Sequence, residues 1–460
     1  MPTHIERFYD KGLAHASYAV LADGEVALID PARDPQPYYA FAAAHSARIT
    51  AIIETHPHAD FLSSHTEISA ATGAPVYVSP RVGATYAHQP FAEGGAVVRV
   101  GRATLRALDT PGHSPDSICA VLESAAGDVE AVFTGDTLFV GATGRPDLRD
   151  DLPATDAASG RPARDILAEQ LFDSVHRKLL ALPAATRVLP AHGPGSLCGK
   201  QTGSELETTI GTEATHNAAL QLRERAAFVA DLLADQPFVP KYFTATVRAN
   251  KAGAPPLEAS LAAVPRLSPD AEPAPGTLVV DTRSPNDFRA GHLPGALNLP
   301  DGGKFETWLG SVVGPNESFY LLAPDEKALD TVLRKAAKIG YERLVKGALT
   351  TPPAARLTAT SRLADADAVR ADATGYTVVD VRNTSEFVNR LFPNSLEIPL
   401  PELRERVGDI PTDRPILVHC AAGYRSAAAT SIIEAAHPGA RVEDLSEAVT
   451  TFPVLEKVSR

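Results

Sequence analysis

Short apolar runs separated by polar turns dominate the first part of the chain: YAVLADGEVALIDP, ITAIIETHPHAD, APVYVSP, ATLRALDTPGHS, EAVFTGDTLF and TRVLPAHG follow in order. Each run has the length of a strand, about 4–8 residues, and each ends in a loop rich in His, Asp or Gly. Between them ILAEQLFDSVHRKLLAL carries helical spacing, as does THNAALQLRERAAFVADLLAD further on. Polar, ligand-type residues at several strand ends predict a site assembled along one rim of a sheet sandwich.

The pattern then changes. RANKAGAPPLEASLAAVPRLSPDAEPAPG is dense in Pro and Ala and reads as a linker or an extended lead-in to a new domain. Beyond it the chain repeats itself. TLVVDTRSPNDF at 277–288 returns as YTVVDVRNTSEF at 376–387, and LPGALNLP at 293–300 returns as FPNSLEIP at 392–399, both 99 positions on. Two copies of one α/β unit follow from that constant offset. The expected fold class is therefore α/β multidomain, with domains over 1–250, 258–355 and 362–460.

Composition narrows the partners. At 460 residues the chain exceeds one ordinary core. Its 43 basic and 56 acidic residues leave a net charge of −13, which argues against a broad nucleic-acid or anionic-membrane surface. No apolar run approaches the roughly 18 residues that span a bilayer, and MPTHIERFYDKG has no signal-peptide core, so the cytoplasm is the expected compartment. Three cysteines, Cys119, Cys198 and Cys420, make no disulfide framework and are read as reduced thiols. Cys119, inside SICAVLE, is expected in the core.

Four pieces of the first region carry chemistry: THPHAD, TPGHSPDS, FTGDTLF and LPAHG. Neutral imidazoles with one carboxylate suit first-row divalent ions. In this order, each at a strand end, the pieces resemble the metallo-β-lactamase superfamily over roughly residues 1–240, which implies an αββα sandwich with metal at one edge. Two-metal members carry an HxHxDH run; here Phe61 follows Asp60, and a phenyl ring offers no lone pair, so one metal is expected. The superfamily's persulfide dioxygenases resemble the chain further. That resemblance implies one Fe(II) per chain held by His56, His113 and Asp136, a two-His-one-carboxylate set that leaves positions for O2 and a substrate sulfur. It also implies that His58, Asp60 and His192 orient ligands or substrate. His65 receives no role. Arg145 and Asp147 of GRPDL match a Gly-Arg-x-Asp element, in which the arginine would pair with a carboxylate of a thiol such as glutathione, or with Asp147 itself. Cys198 of SLCGK matches the subgroup fused to rhodanese domains; it would relay sulfur near the iron or stand as a free thiol in a mobile loop.

The second repeat contains PILVHCAAGYRSAAATSIIEAA. A β-run ends at Cys420, and a helix begins near Ser426. The backbone N–H groups of Ala421, Ala422, Gly423, Tyr424, Arg425 and Ser426 would cradle an anionic thiolate, persulfide or substrate, with Arg425 adding fixed charge. CAAGYRS resembles the active loop of a rhodanese, and VVDVRNTSEF another motif of that family, over roughly 362–460; a phosphatase of related signature would use a longer loop. Two elements depart from the family: RLFPNSL stands where GHIPGA is common, and SEAVTTF where Gly-Gly-Trp is usual. The first repeat offers Ala323 and Pro324 where the cysteine would lie, so it reads as a pseudo-rhodanese serving as spacer, docking surface or interface.

The order dioxygenase, pseudo-rhodanese, rhodanese resembles bacterial persulfide dioxygenase–sulfurtransferase fusions. It implies oxidation of a small-molecule persulfide, such as glutathione persulfide, by O2 to sulfite and thiol. It also implies sulfane-sulfur transfer through a Cys420 persulfide, forming or using thiosulfate, in a homo-oligomer (dimer or tetramer). Tethering raises the local concentration of an intermediate shared by two sites. Two other readings remain: a zinc thioester hydrolase resembling glyoxalase II, and a non-catalytic sulfur-responsive binding protein with a structural metal.

Overall fold

The computed structural model describes residues 3–149, 155–156, 159–200 and 203–457. It divides into two compact units, Met1–Ala259 and Ser260–Arg460.

Two six-stranded sheets form the first unit. One runs in chain order through β1 (His4–Asp10), β2 (His15–Ala22), β3 (Glu25–Ile29), β4 (Arg48–Ile53), β5 (Val76–Val78) and β6 (Gln89–Pro90). The other runs in reverse order, from β12 (Thr208–Thr209) through β11 (Arg187–Pro190), β10 (Val129–Gly135), β9 (Ile118–Glu123) and β8 (Ala103–Asp109) to β7 (Val98–Val100). Asp23 and Gly24, both at positive φ, close the β2–β3 hairpin as a two-residue loop whose twist suits antiparallel strands.

Strand alternation decides the layers. Ala16, Tyr18 and Val20 of β2 meet Leu105, Ala120, Phe133 and Leu189 of the opposite sheet in one core. The other faces are covered by helices. Tyr38, Ala42 and Ile68, from helices Gln36–Ala44 and His65–Thr72, pack on Val26, Leu28 and Ile52. Leu171 and Phe228, from helices Ala163–Asp173 and Arg225–Leu233, pack on Val121, Val132 and Val188. The expected αββα sandwich is what forms. Cys119 lies fully buried in this last cluster, as its apolar neighbours predict.

The second unit holds both repeats. The first builds a parallel sheet in the order β14 (Leu297–Asn298), β13 (Leu278–Asp281), β15 (Phe319–Ala323), β16 (Val345–Thr350). The second reproduces that order as β20 (Leu396–Glu397), β18 (Thr377–Asp380), β21 (Ile416–His419), β22 (Val442–Asp444), with β17 (Arg362–Leu363) added at the edge and β19 (Asn389–Arg390) paired outside this sheet. Among the described residues no helix is long and apolar enough to cross a membrane.

Candidate metal and sulfur sites

The loops leaving β3, β4, β8, β10 and β11 meet at one rim of the sandwich. They carry Asp30, His56 to Asp60, His113, Asp136 and His192, all buried. Close approach of β10 to the β4 loop depends on Gly135: at its φ of 51°, a Cβ would stand 2.5 Å from the Thr55 hydroxyl.

Three donors converge. His56 Nε2 and His113 Nε2 each lie 3.6 Å from Asp136 Oδ2. Ligand atoms about 2.1 Å from a shared ion lie roughly 3.0–3.5 Å apart, so the set is close to ligand spacing. Hydrogen bonds fix the tautomers. The Thr55 hydroxyl donates to Asp30 Oδ2 (2.9 Å) and so accepts from His56 Nδ1 (3.0 Å). His113 Nδ1 donates to the Arg145 carbonyl (2.9 Å). Both Nε2 atoms therefore keep their lone pairs. Burial holds both rings below the usual histidine range, hence neutral. His56 Nε2 and Asp136 Oδ2 are buried with no hydrogen-bond partner, a costly arrangement that a cation at the centre would relieve. The residues fit a metal.

His58, Asp60 and His192 form a neighbouring set of possible donors. Both His192 nitrogens face carboxylates, whereas His58 Nδ1 is buried with no hydrogen-bond partner. His192 sits between two carboxylates, with Nδ1 2.7 Å from Asp136 Oδ1 and Nε2 2.7 Å from Asp60 Oδ2. Burial opposes its protonation, but Asp136 and Asp60 outweigh burial and raise its pKa well above the ordinary value. His58 Nε2 faces Asp30 Oδ1 at 3.3 Å. Phe61 is buried beside them, its ring centroid 3.8 Å from that of His15 and 4.4 Å from that of His58. His15, at the start of β2, and Asp30 escaped the sequence reading. Asp30 stands alone in an ordinary strand-end DP dipeptide, and His15 lies outside every motif.

Two open expectations narrow here. Of the two partners expected for Arg145, the structure shows Asp147: the buried guanidinium reaches it through Nε and Nη2 at 2.6 and 2.7 Å, and Nη1 reaches the Leu197 carbonyl. An arginine two residues from an aspartate closes on it more readily than on a diffusing carboxylate. What this segment gives the site is the Arg145 carbonyl that orients His113. Cys198, in turn, is not a thiol in an open loop. It is buried against Asp136 and His192, and burial together with the Asp60 and Asp136 charges holds it well above the usual thiol range, protonated. His65, left without a role, is buried 3.4 Å from Glu54.

In the second unit, β21 delivers Cys420 to a tight loop. Gly423 takes φ 95°, where a Cβ would stand 3.1 Å from the Glu447 nitrogen, and its N–H donates to Cys420 Sγ at 3.1 Å. The helix Tyr424–Ala436 begins there with no side-chain cap, so its first N–H groups face the loop. Ser426 turns inward, its hydroxyl donating to the Gly423 carbonyl. Arg425 is held bidentately by Glu386 (2.5 and 3.0 Å), a residue the sequence reading did not single out. A cavity of about 290 Å³ opens over Cys420, lined by Ala421, Ala422, Tyr424 and Arg425 and by Gly303, Lys304 and Trp308 of the first repeat.

The chain matches the family model for the metallo-beta-lactamase superfamily over residues 10–192 and that for the rhodanese-like domain over 268–346 and 363–446. It is similar to the crystal structure of a metallo-beta-lactamase from Staphylococcus aureus at TM-score 0.66 and 30% identity, covering 76% of this chain and 99% of that one. A probable metallo-hydrolase of Burkholderia pseudomallei is 31% identical over 41% of this chain and 71% of its own length. A hydroxyacylglutathione hydrolase of Anaeromyxobacter dehalogenans is 35% identical over 39% of this chain and 62% of its own.

Proposed function

The chain belongs to the metallo-beta-lactamase superfamily, followed by rhodanese-like domains, and from that premise we propose that it oxidises a small-molecule persulfide with O2 and transfers sulfane sulfur through Cys420. The observation that carries the reading is the convergence of lone pairs at His56, His113 and Asp136, beside Phe61, which packs on His15 and His58 where a second ion's histidine would stand. His56, His113 and Asp136 would hold one Fe(II). When bound, that ion supplies redox chemistry toward O2 and a Lewis-acidic centre for a persulfide sulfur.

The protein's own groups do the positioning. Thr55 and the Arg145 carbonyl lock the two imidazole tautomers, and His192 holds Asp136 Oδ1 so that Oδ2 stays aimed at the donors. Asp60 in turn holds His192. Products of the reading are sulfite and the free thiol, glutathione being the expected carrier. In the second unit the Gly423 N–H and the uncapped helix start stabilise sulfur anions at Cys420, and thiosulfate is formed or used there.

A second reading, thioester hydrolysis with two zinc ions, is favoured by the His58, Asp60, His192 set and by the similarity to a hydroxyacylglutathione hydrolase. One experiment separates them. Protein purified without oxygen should contain one iron per chain and take up O2 with glutathione persulfide, and Asp136→Asn should lose both. Two zinc ions, thioester cleavage and no O2 uptake would replace the dioxygenase with the hydrolase.

A further inference from the structure

The loop around Cys420 is poor in charge for a site that handles sulfur oxyanions. Ala421, Ala422 and Gly423 carry none, and the guanidinium of Arg425 is matched by the Glu386 carboxylate at 2.5 and 3.0 Å. The other cation on the cavity wall comes from the repeat without a cysteine. Lys304 precedes the helix Phe305–Val312, and Trp308, one turn into that helix, places its ring 5.8 Å from the Arg425 guanidinium carbon. The segment is docked, not merely near. The Tyr424 hydroxyl donates to the Pro300 carbonyl at 3.0 Å, and the Tyr424 ring packs so closely on Gly302 that a Cβ there would stand 3.1 Å from it. Lys304 is also held below the usual lysine range, by partial burial and by the nearby Arg425 charge, which places the two cations on one cleft.

We infer that the first repeat completes the Cys420 site: Lys304 binds the oxyanion end of sulfite or thiosulfate, and Trp308 walls the cleft and seats Arg425. This deepens the sulfur-transfer reading and rests on it. The step it serves balances in atoms and charge. The lone pair on the sulfur of sulfite forms a new S–S bond to the outer sulfur of the Cys420 persulfide anion. The bond between that sulfur and Cys420 Sγ breaks, and its electron pair stays on Cys420 as thiolate. A monoanion and a dianion give a monoanion and a dianion, with no proton or outside oxidant required. Three negative charges gather in one cleft, and Lys304 offsets part of that repulsion where the loop itself supplies no further cation. The cysteine-less repeat is thus retained as part of the acceptor site, and it sets preference for a sulfur oxyanion over a neutral thiol.

The test is steady-state transfer by the full chain without oxygen, from glutathione persulfide to sulfite (thiosulfate formed) or to dithiothreitol (sulfide formed). Lys304→Gln should raise KM for sulfite about tenfold while kcat, and turnover with dithiothreitol, stay within about twofold; Lys304→Arg should restore KM to within about threefold. Lys304 lines a cleft open to solvent and not an apolar core, so neither change threatens the fold. Trp308→Phe should raise the sulfite KM by a smaller factor, about three. If Cys420→Ser abolishes both products and Lys304→Gln leaves the sulfite KM unchanged, the subsite is wrong and the transfer reading stands. If Cys420→Ser still forms thiosulfate, the transfer reading itself fails.

Discussion

In both repeats of the second unit an aspartate at the end of a central strand clamps the arginine two residues on. Asp281 holds Arg283 and Asp380 holds Arg382, each at 2.6 Å, and the two arginines reach the carbonyls of Gly291 and Asn389. The frames match to that level, and they part at one loop. In the first repeat β15 ends at Ala323, Pro324 has no N–H to offer, and the Asp325 carboxylate caps the helix Glu326–Lys338 by accepting from the Ala328 N–H at 2.8 Å. In the second, no side chain caps the helix; Gly423 occupies the turn and its N–H points at Cys420 Sγ. Donors that one repeat satisfies with its own carboxylate the other leaves, on the proposed function, for a sulfur anion. On that reading a helix start is a structural joint in the first case and a binding site in the second, and the difference is where the negative charge comes from.

The strongest way to break this comparison is to exchange the loop chemistry. Cys420→Ser should reduce sulfane transfer by at least about 10³-fold, since no other group in the loop can form a persulfide, while leaving O2 uptake at the first unit intact. Ala323→Cys, which restores a thiol at the position matching Cys420 in the strand register, should gain no transfer activity, because Asp325 already occupies the helix start with negative charge. Measurable persulfide formation at a cysteine in position 323, read by mass spectrometry, would show that the cap does not matter.

Backbone geometry should matter next. Gly423→Ala puts a Cβ at φ 95° and about 3.1 Å from the Glu447 nitrogen, a strain on the order of 1–3 kcal/mol. Sulfur transfer should fall about tenfold or more and the melting temperature should drop with it. Unchanged transfer would mean that the Gly423 N–H is not needed at Cys420.

How far these sites could be read from the sequence depends on where each partner comes from. His56, His113 and Asp136 were legible because imidazole and carboxylate at successive strand ends have few structural uses in that order. The 99-residue offset carried the repeats, and the cysteine, glycine and arginine of CAAGYRS carried the loop. What escaped were residues supplied by packing. Asp30 and His15 join the rim only when β2 and β3 pair alongside β4, Glu386 reaches Arg425 across the fold, and Lys304 and Trp308 line the Cys420 cavity from the other copy. Arg145 stayed open between a ligand carboxylate and Asp147 for a related reason: an arginine and an aspartate at i, i+2 close on each other, as Asp281–Arg283 and Asp380–Arg382 do in reverse order, but only the fold shows it.

The two helices behind these loops differ as well, which gives a pH test. Glu326–Lys338 is amphipathic and exposes its charges, whereas Tyr424–Ala436 is buried from Ser426 to Ile433. Its one carboxyl, Glu434, is pushed up to about 7 by burial, against a hydrogen bond from Ser361. A carboxyl raised in the folded state binds more protons there than in the unfolded chain. Its contribution is therefore complete below about 4.5 and is lost as pH climbs through about 7. On the order of 2 kcal/mol should separate pH 5 from pH 8 through this group, after allowance for its partial exposure. Glu434→Gln should flatten that dependence in thermal melts. A variant with the wild-type slope would place the titration elsewhere.

The smallest expected effect returns to the capped helix. Asp325→Ala removes the carboxylate that satisfies the Ala328 N–H, and loss of such a cap costs about 1 kcal/mol. Denaturant unfolding should register that loss, and sulfur transfer at Cys420 should not change, because the helix Glu326–Lys338 does not line the Cys420 cavity. The pairing with Cys420→Ser is what makes so small a number informative. Where the helix start works as a joint, deleting its negative charge destabilises and leaves chemistry alone. Where it works as a binding site, deleting the sulfur removes chemistry and leaves the melting temperature within a degree or two. If Asp325→Ala cost nothing, the first repeat's helix start would be as open as the second's, and the lost cysteine alone would account for its silence.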